Sequence, residues 1–350
     1  MKKLATKKIG LTILIFLMIT SIGYFNYLRP SRHEYTFYAM DGIPLKIIVY
    51  YRSYLKFRED IKATKTLTDD LEKVFNAYLE SSELTYVNNH AYEKEISVDP
   101  QLQNIIKKSR YWWEKTNGAF DISVKPLIDL WKESAKNNTL PDSATLKQTL
   151  NLVGMNKIIL KDNKLKFTKS GVKLDLGGIA KGYIVDQIAE LLQNKGAQKG
   201  LIDAGGDILA FGNTLFRVGV QDPTKKVGDE IIGIIELEDK AVVSSGNYER
   251  FVEIQEKRFS HIINPKDGRP SDNNLIAVTV LAETCTDADA LATALMVMGA
   301  KDAKDFLKKN SDFMGILIEK DNGYSVWVSE NLISKTSFEK RWENKVKVID

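Results

Sequence analysis

The sequence predicts an α+β fold, with a mostly antiparallel sheet and helices packed against it. Three observations predict it. Residues 63 to 152 are dominated by segments with helical spacing of apolar residues. From residue 157 onward the pattern changes to short strands joined by turn residues. Near the end, Asn322-Gly323 sits between two alternating apolar runs, a strong hairpin signal. Runs of strands and helices in this order point to α+β architecture.

The chain begins differently. "MKKLATKK" is basic, and residues 9–28, "IGLTILIFLMITSIGYFNYL", carry no charged side chain. Such a stretch is long enough to cross a bilayer as a helix. The basic flank stays in the cytoplasm, which places the remainder on the outer side. No small-x-small cleavage site follows and no cysteine is available there for a lipid. The reading is therefore an uncleaved, single-pass transmembrane anchor, with a cleaved signal peptide as its alternative. The expected organisation is a cytoplasmic basic segment over 1–8, the anchor over 9–28, and a linker over 29–36. One domain over 37–340 and a tail over 341–350 follow.

Within the domain, "PLKIIVYYR" (44–52) predicts a strand. Residues 63–80 carry Leu67, Leu71, Val74, Phe75 and Tyr78 at helical spacing. Residues 98–118 predict a second helix, with Pro100 near its start, Gly118 at its end, and Ile105, Ile106, Tyr111 and Trp112 toward the core. Helices over about 124–135 and 142–152 complete this half. "KIILKD" and "KLKFTKS" form a hairpin about Asn163. "GVKLDLGG" predicts a strand leading into a helix from Ala180 that stops at Gly196. "GLIDAGGDILAFG" (200–212) reads as strand, Gly-Gly turn, strand. "FRVGVQDP", "EIIGIIEL", "KAVVSSG", "RFVEIQ" and "FSHIINP" are short strands. "LIAVTVLAE" (275–283) is a buried strand, and "TDADALATALMVMG" and "KDAKDFLKKN" are helices.

Composition narrows the chemistry. Fifty basic and 46 acidic residues are scattered along the chain, for a net charge of +4, which argues against a nucleic-acid partner. Cys285 is the single cysteine, so no internal disulfide and no thiolate zinc site can form. The three histidines are His33, His90 and His261, too few for a multi-histidine metal centre. A metal would need oxygen ligands, which suits Mg²⁺ or Ca²⁺. A P-loop, a dinucleotide-binding glycine fingerprint and a nucleophile-elbow serine are all absent.

"DLGGIAKGY" (175–183) sets a carboxylate, two glycines and a lysine where a helix begins. Helix N-termini favour anions, glycines let backbone approach a ligand, and lysine adds a point charge. The stretch fits a phosphate-bearing ligand, and it equally fits a plain turn. Asp289 and Thr293 in "TDADALATAL" are four apart on a helix and share a face. They fit part of a hard-cation site, whereas Asp287 and Asp289 also suit helix capping. His261 in "FSHIINPKDGRP" is a proton carrier or a structural histidine. Asp121 in "GAFDISV" either caps a helix or binds a ligand hydroxyl. "DAGGD" (203–207) is first a tight turn and second a ligand approach. From the residues alone, the reading is an exported globular domain for a phosphorylated ligand, with or without Mg²⁺, whose reaction would be phosphoryl transfer or cleavage.

Seven segments in order resemble the ApbE family of FAD:protein FMN transferases: "GAFDISVKPLIDLW", "DLGGIAKGYIVDQI", "LIDAGGDILAFG", "FRVGVQDP", "SSGNYERF", "SHIINPKDGRP" and "ADALATALMVMG". The resemblance covers residues 37 to 330. It implies a T-fold-like architecture and an enzyme that uses FAD as substrate with Mg²⁺. The FMN moiety would pass to a threonine or serine hydroxyl of an extracytoplasmic acceptor protein, and AMP would leave. The resemblance assigns Asp175 and Lys181 to FAD, and the Gly178 carbonyl, Asp289 and Thr293 to the metal. Tyr78 matches an aromatic near the flavin. Ala119, Phe120 and Asp121 match the nucleotide-binding "GAFD", and His261 and Ile262 match the "SHI" loop. Met40, in Met40-Asp41-Gly42, corresponds loosely to the family's "MGT", and Ser123 stands where the family usually has proline.

The implied mechanism has Mg²⁺, Lys181 and backbone N–H groups stabilising the pyrophosphate charge. His261 is the expected acceptor of the attacking hydroxyl's proton, with Asp289 as its rival. Two other readings compete: an FAD pyrophosphatase giving FMN and AMP, and a flavin-binding protein without turnover.

Overall fold

The long sheet of this molecule is built around a strand that is buried on both faces. The computed structural model describes residues 18, 30–40, 42–225, 230–247 and 251–349. Strand β13 (Leu275–Ala282) sends Leu275, Val278, Val280 and Ala282 into one core and Ala277 and Leu281 into another. That explains its near-continuous apolar run, since a strand covered on both sides needs no alternation.

Around it, among the described residues, runs a nine-stranded sheet in the order β1-β2-β6-β7-β10-β13-β14-β15-β17. Its members are β1 (Ser31–Ala39), β2 (Ile43–Tyr51), β6 (Gly200–Ala204), β7 (Asp207–Phe211), β10 (Ala241–Gly246), β14 (Met314–Lys320), β15 (Tyr324–Ser329) and β17 (Val346–Ile349). Every pairing is antiparallel except β15 with β17. Three-stranded sheets form from β3 (Ile96–Ser97), β4 (Ile158–Lys161) and β5 (Lys164–Phe167), and from β8 (Phe216–Gln221), β9 (Ile231–Leu237) and β16 (Thr336–Phe338). A lone hairpin joins β11 (Phe251–Ile254) to β12 (Lys257–Ser260).

The helices among the described residues pack on one face of the long sheet, on one another or on the β11–β12 hairpin. They are α1 (Tyr54–Phe75), α2 (Glu83–His90), α3 (Pro100–Lys115), α4 (Lys125–Lys136), α5 (Ser143–Leu150), α6 (Ala180–Asn194) and α7 (Cys285–Lys309). The short α8 (Glu330–Ile333) and α9 (Lys340–Glu343) lie near the C-terminus. The larger core lies between α1, α3, α6, α7 and the sheet, and the smaller between the sheet's other face and β8–β9. The α+β class and the mostly antiparallel sheet agree with the sequence reading. Two predicted helices after β13 are joined in α7 across a break at Gly299, whose φ of 77° and ψ of 170° are not helical.

Several expectations are corrected. Residues 31–36 are not a linker but the start of β1, paired with β2 throughout. Within the expected tail over 341–350, Trp342 is buried and β17 extends the sheet, so residues 341–349 belong to the domain. Tyr111 is exposed rather than directed at the core. Helix α1 begins nine residues before the expected 63, capped by Ser53, whose hydroxyl accepts the Lys56 N–H at 3.3 Å. Besides Phe57 and Ile61, its buried face carries Asp60, Thr64 and Thr68, polar residues that interrupt the apolar spacing. It also ends sooner, where the Asn76 side chain accepts the Tyr78 and Leu79 N–H groups. That side chain mimics a backbone turn and takes Tyr78 out of the helix.

The expected strand over 172–176 is an extended loop. Val172, Leu174 and Leu176 are buried, but the backbone is held by a side chain. Asn88 donates to the Leu174 carbonyl at 2.9 Å and accepts its N–H at 2.7 Å. Apart from Met18, the proposed anchor over 9–28 lies outside the described residues. Among the described residues, no helix is long and apolar enough to cross a membrane.

Candidate active site

The site forms where the start of α6 meets α7 and the turn between β6 and β7. That turn is Gly205-Gly206, both at positive φ (61° and 98°), a two-residue hairpin loop that glycine adopts without strain. It delivers Asp207 to the sheet's interior with no exposed surface. Lys181 reaches it from the first turn of α6, with Nζ 2.5 Å from Asp207 Oδ1. Asp207 and Asp289 also share a carboxyl–carboxylate hydrogen bond, and no other group among the described residues bonds the Asp207 oxygens.

Asp289, one turn into α7 and 4% exposed, faces the same cluster. Its Oδ2 accepts the Gly182 N–H at 3.1 Å. Burial raises the Asp207 carboxyl well above the usual range, and the Asp289 charge adds to this. Burial also raises Asp289, against the opposing charge of Lys181. Two carboxylates and one ammonium in a dry site leave a net negative charge that favours a proton or a cation.

Gly182 is where the two helices touch. A Cβ there would lie 2.3 Å from the Cys285 carbonyl oxygen. The glycine therefore permits a helix approach that no other residue allows. Cys285 itself is buried and its thiol is pushed well up, chiefly by burial, so it is inert.

Gly178 packs against Thr293, one turn beyond Asp289 on α7. A Cβ at Gly178 would stand 3.0 Å from Thr293 Oγ1 and 3.4 Å from Phe120 Cε2. The fold thus brings Gly178, Thr293 and Phe120 together, and next to them Lys181, Asp207 and Asp289. A third group lies at the rim. The Tyr78 hydroxyl donates to Asp175 Oδ2 at 2.7 Å, and Asp175 Oδ1 accepts the Gly177 N–H at 2.8 Å. Tyr78 is 53% exposed, with the ammonium groups of Lys132 and Lys125 at 4.0 and 4.5 Å from its ring centre.

The expected cradle of bare amides at the start of α6 is not what the chain builds. The Ile179 and Ala180 N–H groups both donate to the Leu176 carbonyl, at 3.0 and 2.8 Å. Gly177 donates to Asp175 and Gly182 to Asp289. The positive end of the helix is spent largely on Asp289.

Asp121 is 7% exposed, and its Oδ1 accepts the N–H and hydroxyl of Ser123 at 2.8 and 2.5 Å. It caps the short 3-10 helix Ile122–Val124, while the Ile122 carbonyl accepts the Asp175 N–H at 2.8 Å. Of the two sequence readings of Asp121, the hydrogen bonds favour the cap. Ala119 is buried beside Phe120. Met40 sits in the β1–β2 turn at φ 49°, packed on the larger core, and Asp41 lies outside the described residues.

His261 follows directly on β12 and is exposed, while Ile262 turns inward and is buried. The Ile262 carbonyl accepts the Ser271 N–H at 2.7 Å, and the Ser271 hydroxyl donates to the Met296 carbonyl at 2.9 Å. Met296 is three residues past Thr293, so this relay docks the His261 loop on the next turn of α7. Of "SSGNYERF", residues 248–250 lie outside the described residues.

Asp207 is the residue that sequence reasoning passed over. The signal was present in "AGGD", where a two-glycine hairpin turn ends in a carboxylate at the first position of a buried strand.

An ApbE family model matches residues 42–317. The chain belongs to the ApbE family. Among curated relatives of this ApbE chain, the FAD:protein FMN transferase of Haemophilus influenzae is 32% identical, over 77% of this chain and 80% of its own length. That of Vibrio cholerae is 30% identical, over 77% of this chain and 85% of its own. The ApbE flavin transferase of Vibrio cholerae superposes with a TM-score of 0.76 at 26% identity, covering 87% of this chain and 99% of that one. The ApbE protein of Thermotoga maritima gives 0.78 at 30% identity, covering 87% and 99%. The chain is accordingly an enzyme of the ApbE flavin transferase class with the ApbE-like α+β fold.

Proposed function

We propose that this ApbE enzyme transfers the FMN moiety of FAD to a threonine or serine hydroxyl of an acceptor protein, with Mg²⁺, releasing AMP. The observation that carries the reading is the buried Lys181–Asp207–Asp289 cluster beside Gly178 and Thr293. Its donor set suits a hard cation: two carboxylates, a hydroxyl, and a carbonyl on a residue without a side chain. The strongest sign of fit is the pair of buried carboxylates, Asp207 and Asp289, whose charge the single ammonium of Lys181 only half balances. Asp289, Thr293, the Gly178 carbonyl and Asp207 would hold the ion. Bound there, Mg²⁺ would offset the negative charge on the pyrophosphate oxygens as the P–O bond of the phosphoanhydride breaks.

The remaining roles fall to the chain itself. Lys181, 23% exposed at its side chain, is held with its ammonium on the buried Asp207 carboxylate. It favours the developing negative charge without being neutralised by solvent. Tyr78 and Asp175 at the rim would hold the flavin end. The acceptor hydroxyl attacks the FMN phosphorus, the phosphoanhydride oxygen departs with AMP, and a phosphoester replaces it. The hydroxyl proton goes to His261, which is exposed where a protein substrate can reach it. Asp289 is the poorer candidate, being buried and engaged with the Gly182 N–H. The basic N-terminus followed by the uncharged segment 9–28 supports a membrane anchor with the domain on the outer side.

Mass spectrometry tests the reading. The full chain in detergent is incubated with FAD, Mg²⁺ and a threonine-bearing acceptor domain. The expected result is an acceptor mass gain of FMN less water with one AMP per adduct. Both should fall by about 10³-fold in Asp289→Ala or on chelation. AMP and free FMN without adduct on any acceptor would replace the transferase by a pyrophosphatase. Bound, intact FAD would replace it by a flavin-binding protein.

A further inference from the structure

Asp186 is a buried carboxylate that the mechanism above leaves unused. It lies on α6, one turn past Gly182, and reaches across to the start of α7. Its Oδ1 accepts the Cys285 N–H at 2.8 Å. Its Oδ2 accepts the Thr286 N–H at 2.8 Å and the Thr286 hydroxyl at 2.5 Å. Helix α7 already has a cap of its own, since the Thr284 hydroxyl accepts the Asp287 N–H at 3.1 Å. Asp186 takes the two amides that this cap does not serve.

Four residues earlier on α6, the link runs in the opposite sense. There the backbone of α6 donates, from Gly182, to a carboxylate of α7, Asp289. The two helices are thus joined by two reciprocal rungs, one from 186 to 285 and 286, the other from 182 to 289. Between them the backbones are so close that no Cβ fits at Gly182. Sliding α7 by one residue would move it about 1.5 Å along its axis and turn it about 100°. Either displacement breaks both rungs.

We infer that Asp186 is a positioning residue: it sets the register of α7 on α6 and thereby holds the Asp289 carboxylate on the Gly182 amide, beside Asp207. A cap with only a local role would stabilise residues 285 and 286 and leave Asp289 unaffected. The consequence for cation binding rests on the metal reading proposed above, whereas the consequence for the Gly182 amide does not.

The test uses the full chain in detergent, as Asp186→Ala and Asp186→Asn, with Asp289→Ala as control. Three quantities are read: hydrogen exchange at the Gly182 amide, Mn²⁺ affinity by titration with the metal alone, and kcat and KM for FMN transfer. Asp186→Ala is expected to melt cooperatively. It should lose about tenfold or more protection at Gly182, with Ile188 on the following turns unchanged. Mn²⁺ should bind about tenfold more weakly, a usual effect for a residue behind a metal ligand. The loss should appear in kcat, with KM for FAD within about twofold. Asp186→Asn keeps one acceptor oxygen and should lie between. Parental protection at Gly182 together with Mn²⁺ affinity within about twofold would overturn the assignment. Should Asp186→Ala fail to fold, the same two readouts in Asp186→Asn decide it. If Asp289→Ala binds Mn²⁺ as the parent does, the metal reading falls, and the Gly182 amide alone judges the positioning role.

Discussion

The inner and outer halves of the site are built on opposite principles. Inside, Lys181, Asp207 and Asp289 are set by backbone that has no freedom: a two-glycine hairpin, a glycine contact between helices, and amides used at the start of α6. Outside, Tyr78 and His261 are exposed and each lies just beyond the end of a regular element, α1 or β12. The inner half holds unfavourable charge in a dry place, so its geometry must be enforced by many contacts. On the proposed function the outer half would admit a nucleotide and then a protein, and its residues lie on segments that solvent reaches. Buried, closely paired charge belongs in the first and would be wasted in the second.

Substitutions can break this contrast in order of expected size. Lys181→Met strips Asp207 of its counter-ion. FMN transfer should fall by about 10³-fold, and urea unfolding should show a loss of about 3 kcal/mol, as when one partner of a buried pair is removed. Gly182→Ala leaves every charged group intact and forces α6 from α7. A loss of about 2 kcal/mol in thermal or urea unfolding is expected from the overpacked contact. A roughly 10²-fold drop in kcat is expected from displacing Asp289. A Gly182→Ala protein as stable as its parent would mean that the helices do not meet as closely as described.

Tyr78→Phe probes the rim. It removes one exposed hydroxyl from Asp175, so stability should change by less than about 1 kcal/mol. KM for FAD should rise about threefold with kcat unchanged. A change confined to kcat would move Tyr78 into the inner half.

The smallest effect concerns pH. Burial pushes the Asp186 carboxyl up to about 6, against the hydrogen bonds it accepts. Its unfolded value is near 3.9. The native state therefore holds the proton more tightly, and this group's contribution to stability falls as pH rises from about 4 to about 6. The Tm advantage of the parent over Asp186→Asn should shrink by a few degrees across that interval. An advantage that grows instead would show that the carboxylate, not the acid, is the favoured form.

Much of the fold was legible because its cues are local. The Gly205-Gly206 and Asn322-Gly323 turns announce their hairpins, and β13 announces its double burial by an unbroken apolar run. The strand β1 was hidden because its exposed edge leaves it polar on one side, next to an uncharged segment of another kind. The start of α1 was hidden because Asp60, Thr64 and Thr68 interrupt the apolar residues of its buried face. The stretch before "DLGG" alternates like a strand, yet its hydrogen bonds go to Asn88, a partner 86 residues away.

For the site, the sequence alone determined the pairs that one element spaces: Asp289 with Thr293 on a helix turn, and Asp175 with Gly177 in a short loop. The order of the family segments determined which residues belong together as a set. Only the tertiary structure decided that Asp207 closes the cluster with Lys181 and Asp289, that Tyr78 meets Asp175, and that the amides beginning α6 are largely consumed within the protein. The reason is physical. Spacing along one helix or turn is fixed by backbone geometry within a few residues, whereas a contact between distant segments depends on how closely their backbones can pack. Here that closeness comes from a missing Cβ at Gly182, whose meaning appears only when α7 lies against it.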